Sequence, residues 1–220
     1  MKARFRDRTQ AGQQLAQQLK IYANRADSLV LALPRGGVPV AHEIANALNL
    51  PLDICLVRKL GAPKNQEFAI GAIAANGIRV VNHSLLERLG LTTQMLEEIT
   101  GEEYQELQRR EWTYRSNLPK FTLDDRIVIL VDDGLATGAT MRAALMWVSL
   151  QQPRQLIVAV PIASQQAYQQ LKAYVDRLIC LCIPHELYAI GLWYDSFDQV
   201  TDDEVCTLLN CPKAVDSLSG

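Results

Sequence analysis

Short apolar runs alternate with helix-period segments along most of this chain. Ser28–Leu33, Asp53–Val57, Ile127–Val131, Gln155–Pro161 and Arg177–Ile183 are brief, aliphatic and largely without polar alternation, as strands covered on both faces are. Between them lie segments that read as helices: Thr9–Tyr22, Val38–Leu48, Met141–Leu150 and Ser164–Tyr174. Thr9 is the expected N-cap of the first, with Leu15 and Leu19 one turn apart on a single face. The order is largely βαβαβ. It predicts an α/β fold, a mostly parallel twisted sheet flanked by helices, with any site at the carboxyl ends of the strands.

The middle of the chain breaks this rhythm. Leu60 to Phe68 carries Gly61, Pro63, Lys64 and Asn65 and reads as a loop. Phe68–Ala75 and Ile78–Asn82 read as a hairpin joined around Asn76-Gly77, a favoured turn dipeptide. A helix at Ser84–Leu89 and a long polar one at Thr93–Ser116 follow, the latter with Glu106–Arg110 and Glu111–Arg115 at i,i+4 spacing. Its interrupted apolar stripe, Leu96, Ile99, Leu107, Tyr114 and Leu118, is expected to pack on this domain or on a second subunit.

With 220 residues the economical arrangement is one domain, 1–220. Its core spans about 25–182, with an inserted helical segment at about 83–120 and a small terminal segment at about 183–205. Hydrophobic residues make up 49%, enough for a core, and the net charge of −2 gives no support for a nucleic-acid surface. MKARFRDR has no apolar region, so no signal peptide is expected, and no apolar run approaches the ~20 residues of a membrane helix. A soluble, cytoplasmic protein without membrane partners is the expectation. Of the five cysteines, Cys55, Cys180 and Cys182 lie in strand-like runs as small hydrophobes, and Cys206 and Cys211 lie near the end. There is no CxxC pair, which argues against zinc.

Chemistry concentrates in Asp125 to Thr140, DRIVILVDDGLATGAT. An apolar strand ends in Asp132 and Asp133, then a small, hydroxylated loop enters a helix. Ala136, Thr137, Gly138, Ala139 and Thr140 let the backbone wrap a ligand, and N–H groups in the first turn of a helix favour an anion. That is a phosphate cradle. The two acids would repel a phosphate and suit sugar hydroxyls or a divalent cation instead. Phosphate and hydroxyls together describe a phosphorylated ribose. A second strand–loop–helix unit holds Pro34-Arg35-Gly36-Gly37, where glycines permit close approach and Arg35 can grip an anion. Its plain alternative is a βα turn with a surface arginine.

LVDDGLATGAT resembles the binding signature for 5-phosphoribosyl-1-pyrophosphate (PRPP) of the type I phosphoribosyltransferases. PRGG is similar to that family's pyrophosphate loop, which often carries a strained peptide bond. Arg58-Lys59 resembles the strand end that precedes the family's mobile closing loop. The resemblance covers most of the chain and implies the type I phosphoribosyltransferase fold with a small C-terminal hood. It implies transfer of a phosphoribosyl group from PRPP to a nitrogen acceptor, a nucleobase by preference, with release of pyrophosphate and with Mg2+ bound to PRPP. By the same resemblance, Ala136–Thr140 bind the 5-phosphate. Asp132 and Asp133 bind the ribose hydroxyls, stabilise developing positive charge and stand near the metal, directly or through PRPP. Arg35, Gly36, Gly37 and Lys59 hold pyrophosphate, and the protein is a homodimer.

Two features depart from the pattern. Ala136 stands where transferases for 6-oxopurines carry an acid, which disfavours such an acceptor. Gly134 stands where an apolar residue is more usual and is expected to loosen the loop. In the hood, Trp193 or Tyr194 either stacks on a flat acceptor or fills a minor core. Thr201 to Glu204 read as a capped helix start. Two other functions fit the same residues: a non-catalytic regulator that senses PRPP or nucleotides, and an accessory module using Thr93–Ser116 as a partner helix.

Overall fold

The computed structural model describes residues 5–63, 65–74, 77–115 and 121–210, of which 65–67 are described by their backbone alone. Lys64, Asn76, Ser116, Leu118 and Cys211, together with the side chain of Asn65 and the start and end of the chain, lie outside the description. In order, the elements are α1 (Arg8–Gln18), β1 (Ser28–Ala32), α2 (Gly37–Leu48), β2 (Leu52–Ile54), β3 (Val57–Ala62), β4 (Asn65–Ala74), β5 (Arg79–Val81), α3 (His83–Leu89), α4 (Thr93–Arg115), β6 (Ile127–Val131), α5 (Ala139–Ser149), β7 (Gln155–Ile162), α6 (Gln165–Leu171), β8 (Arg177–Cys182) and α7 (Asp202–Leu208). Helix α1 starts earlier than expected: its cap is Asp7, whose Oδ1 accepts the Gln10 N–H at 2.7 Å, and not Thr9.

Among the described residues, five parallel strands form the main sheet in the order β2-β1-β6-β7-β8. Every residue of β1 and β6 is buried, which is why both read as apolar runs, β1 after its opening Ser28. Their side chains alternate between two layers. Val30, Ala32, Ile127, Ile129 and Val131 meet α1, α2 and α4 through residues such as Leu15, Ile44 and Leu107. Leu29, Leu31, Val128 and Leu130 meet α5 and α6 through Met141, Leu145 and Leu171. Each such aliphatic side chain contributes roughly 1.5–3 kcal/mol when fully buried. From β1 the chain runs to β2 on one side, and from β6 it runs to β7 on the other. The β1/β6 junction is therefore a switch point, where the two following loops diverge and leave a crevice.

Asp53–Val57 is not one strand. It splits into β2, on the edge of the main sheet, and the start of β3, in a second, antiparallel sheet of order β3-β4-β5. Leu60 to Phe68, read as a closing loop, lies largely in the β3–β4 hairpin, and Arg58 and Lys59 sit inside β3 rather than at a strand end. The small residues that suggested a loop are paired there, Leu60 with Gly71 and Gly61 with Ala69. Register shifts on either side of Gly61 absorb their irregularity. The hairpin of β4 and β5 is as expected, with Gly77 at φ +79°.

The second sheet packs on α5 and α4. Leu96, Leu107 and Tyr114 of α4 are buried. Arg115 reaches the buried Asp53 at 3.0 Å and donates to the Ile54 carbonyl at 2.7 Å, fastening the end of α4 to the edge strand. Among the described residues no helix is long and apolar enough to cross a membrane.

Candidate active site

Two neighbouring strand ends bring the motifs together. Ala32 and Val131 are register partners, and the Leu33 N–H donates to the Val131 carbonyl at 2.9 Å. The loop Pro34-Arg35-Gly36 leaving β1 thus lies directly against Asp132-Asp133 leaving β6. The Pro34–Arg35 peptide is cis. Contact is close enough to exclude any side chain at Gly36: a Cβ there would lie 2.6 Å from Asp133 Cγ and nearer still to Oδ2. Gly37 is pressed in the same way on the Val131 carbonyl and the Asp132 backbone. These glycines are the seat of the two acids.

Asp132 Oδ1 accepts the Asp133 N–H at 2.8 Å. Asp133 Oδ2 accepts Arg8 Nε at 2.9 Å, and the Tyr194 hydroxyl donates to the Asp133 carbonyl at 2.7 Å. Burial, followed by repulsion from Asp133, raises the Asp132 carboxyl well above its ordinary range. Burial also raises Asp133, and the Arg8 guanidinium works against that rise.

Arg8 is the last residue of MKARFRDR, and no local pattern marks it as a site residue. It stacks on the Phe197 ring at 3.8 Å and donates to the Asp198 carbonyl at 2.8 Å. It is delivered by a strap. Phe5 exchanges backbone hydrogen bonds with Trp193 and Asp195, and the Ser196 N–H donates to the Arg6 carbonyl. The hood is thus built from both early and late parts of the chain.

The loop after the acids is fastened to the start of α6. The Leu135 N–H donates to the Ile162 carbonyl, the Ser164 N–H to the Leu135 carbonyl, and Ser164 Oγ to the Ala136 carbonyl at 2.6 Å. Gly138 turns the chain into α5 at φ +74°, and the Ala139 N–H lies 3.3 Å from Thr137 Oγ1. Ala136, Thr137 and Thr140 are exposed around the positive end of α5. Gly134 does not loosen this loop. A Cβ there would lie 2.7 Å from Ile190 Cγ2 and 3.0 Å from Ile162 Cγ2, so the space of the more usual apolar side chain is filled from the hood.

A cleft of about 480 Å³ opens between hood and loops, lined by Arg8, Arg35, Asp133, Ile190, Phe197 and Val200 among others. Arg35 Nη1 lies 3.6 Å from Asp202 Oδ1. Lys59 is in the second sheet, opposite Ala72 and partly exposed. Trp193 and Tyr194 are buried, at 8% and 3% exposure, against Phe5, Ala11 and Ile162, which is the minor-core arrangement. The aromatic ring on the cleft wall is Phe197.

A family model described as a phosphoribosyl transferase domain matches residues 5–195. Two Mycobacterium tuberculosis proteins (strains CDC 1551 / Oshkosh and ATCC 25618 / H37Rv), both named as inferred phosphoribosyl transferases, are 40% identical over 206 residues. The match covers 94% of this chain and 46% of theirs, so the chain spans about half the length of these relatives. A crystal structure of a protein from Thermus thermophilus is similar at 43% identity and a TM-score of 0.85, covering 94% of this chain and 97% of that one.

Proposed function

The chain belongs to the phosphoribosyl transferase family, and from that premise we propose that it moves a 5-phosphoribosyl group from Mg2+-bound PRPP to a nitrogen acceptor, a nucleobase or similarly flat ring, with release of pyrophosphate. The observation that carries this is the seating of Pro34-Arg35-Gly36-Gly37 on Asp132 and Asp133 beside the start of α5. One crevice thereby offers an anion grip, two carboxylates and a helix N-terminus, which are the needs of pyrophosphate, ribose hydroxyls and a 5-phosphate.

In this reading Ala136–Thr140 take the 5-phosphate against the α5 dipole. Asp132 and Asp133 accept the ribose hydroxyls and stabilise positive charge as it develops on the sugar, at short range and away from bulk water. Arg35, with the backbone of Gly36 and Gly37, takes pyrophosphate, and Lys59 joins it. The rest is positioning, with no covalent nucleophile. The acceptor enters from the hood side, between Ile190 and Phe197. Ala136 leaves no acid beside it, so a 6-oxopurine is disfavoured.

The donor set fits magnesium held jointly with substrate. Two hard carboxylates stand beside a pyrophosphate grip, and no cluster of three or more metal-ligating side chains occurs among the described residues. Asp132 and Asp133 would hold the ion, which when bound neutralises the leaving pyrophosphate. A single transferase domain, acting as a cytoplasmic homodimer, completes the proposal, and sedimentation and cell fractionation test the last two points.

The function is tested by pyrophosphate release from Mg2+-PRPP with a panel of purine, pyrimidine and smaller nitrogen acceptors. Acceptor-dependent release is expected. In the Asp132→Asn/Asp133→Asn double variant it should vanish while the circular dichroism spectrum is kept. Unchanged turnover would overturn the site assignment, and PRPP binding without release would favour a sensing role.

A further inference from the structure

We infer that Asp202 is a positioning residue for Arg35, and that the inserted helix α4 serves the site through it. This rests on the reading in which Arg35 grips pyrophosphate. Asp202 opens α7, a helix whose start is fixed by a complete capping box between Thr201 and Glu204. Its Oδ1 lies 3.6 Å from Arg35 Nη1 and accepts the hydroxyl of Tyr114. Its Oδ2 accepts Arg109 Nη1 at 2.8 Å. Tyr114 is wholly buried, and Arg109 is itself fixed by two contacts to Glu106 at 2.9 and 3.1 Å.

The carboxylate is thus held by two groups, one on each oxygen, before Arg35 is considered. Arg35 sits on a turn with its side chain 30% exposed, and among the described residues Asp202 is its ion-pair partner. A long side chain left to itself samples many rotamers, and ordering it on binding costs affinity. A fixed carboxylate at its tip removes part of that cost in advance. It does so without cancelling the positive charge, since one carboxylate is shared by two guanidiniums, Arg35 and Arg109. Asp202 also stays ionised. Burial opposes this, but the hydrogen bonds from Tyr114 and Arg109 hold its carboxyl below the ordinary range. The acid at the start of α7 therefore does more than satisfy a helix end, and the buried phenol of α4 has a partner that reaches the crevice.

The test compares the wild-type chain with Asp202→Asn and Tyr114→Phe, using calorimetry with Mg2+ and two probes, inorganic pyrophosphate and ribose 5-phosphate. Asp202→Asn should weaken pyrophosphate by about 3- to 10-fold and leave ribose 5-phosphate unchanged, because the second probe uses the α5 cradle and not Arg35. Tyr114→Phe should act in the same direction by less. A structural role alone would weaken both probes together, and that result would overturn the inference. So would unchanged or tighter pyrophosphate binding, which is what removal of a nearby negative charge gives by itself. If the wild type binds pyrophosphate, the variant binds it more weakly and no PRPP turnover is found, the positioning stands and the transferase reading falls. If the wild type binds no pyrophosphate, the inference falls whatever the turnover.

Discussion

Gly36→Ala is the sharpest perturbation of this site, because the backbone tolerates alanine and only the neighbour does not. Gly36 has φ −59° and ψ −31°, open to any residue. The added Cβ would stand 2.6 Å from Asp133 Cγ, some 0.8 Å inside the 3.4 Å at which ordinary contact begins, and closer yet to Oδ2. The carboxylate cannot swing away freely, since Arg8 holds Oδ2. The loop or the acid must therefore shift by close to 1 Å. Forced overpacking of this kind costs about 1–3 kcal/mol, and a displacement of ~1 Å between binding groups can cost ~10²-fold in rate. The assays are urea unfolding and kcat/KM for PRPP. A double-variant cycle isolates the cause. In an Asp133→Ala background the obstructing atoms are gone, so the stability cost of Gly36→Ala should fall by about 1–3 kcal/mol. Equal costs in the two backgrounds would refute the argument that the carboxylate is what requires glycine.

Two further outcomes follow from packing and charge. Gly134→Ala should destabilise by about 1–3 kcal/mol, because its Cβ meets Ile190 and Ile162, and Ile190→Ala should relieve most of that cost in thermal melts. Glu106 is held down to about 2, first by its hydrogen bond to Arg109, against the opposing effect of burial and with Arg110 adding to the fall. A depressed carboxyl stabilises the fold above its ordinary value of 4.5, and the benefit is lost as pH falls through about 2. Screened by solvent, the two pairs together contribute about 0.5–1 kcal/mol. Glu106→Gln should show that deficit in unfolding curves at pH 7 and progressively less of it as the pH is lowered from 4.5 toward 2.

What was legible in the sequence follows from range. Ile127–Val131 and Leu29–Ala32 announce themselves, since each is apolar throughout and buried throughout. Thr201 and Glu204 close their capping box three residues apart, within reach of local reading. The β3–β4 hairpin was missed because Leu60 to Pro63 has loop composition, while its strand character comes from pairing with Ala69 and Gly71. Arg8 was missed for a stronger reason, being 125 residues from Asp133 with no local pattern linking them. Trp193 was placed on the right segment, but whether its ring faced ligand or core was settled only by Phe5, which arrives from the other end of the chain.

The strap from Phe5 to Arg8 bears on the order in which the molecule is made. Arg8 and Asp198 are joined across 190 residues, a closure that no local segment can rehearse. As the chain is synthesised, β1 and β6 are made well before residues 193–198, and a domain closes as a unit once its late contacts exist. Until residues 193–198 appear, Phe5 has no strand edge to join and Arg8 no ring to cover. The strands that carry the acids are therefore made early, and the ring and carbonyl that fix Arg8 only much later.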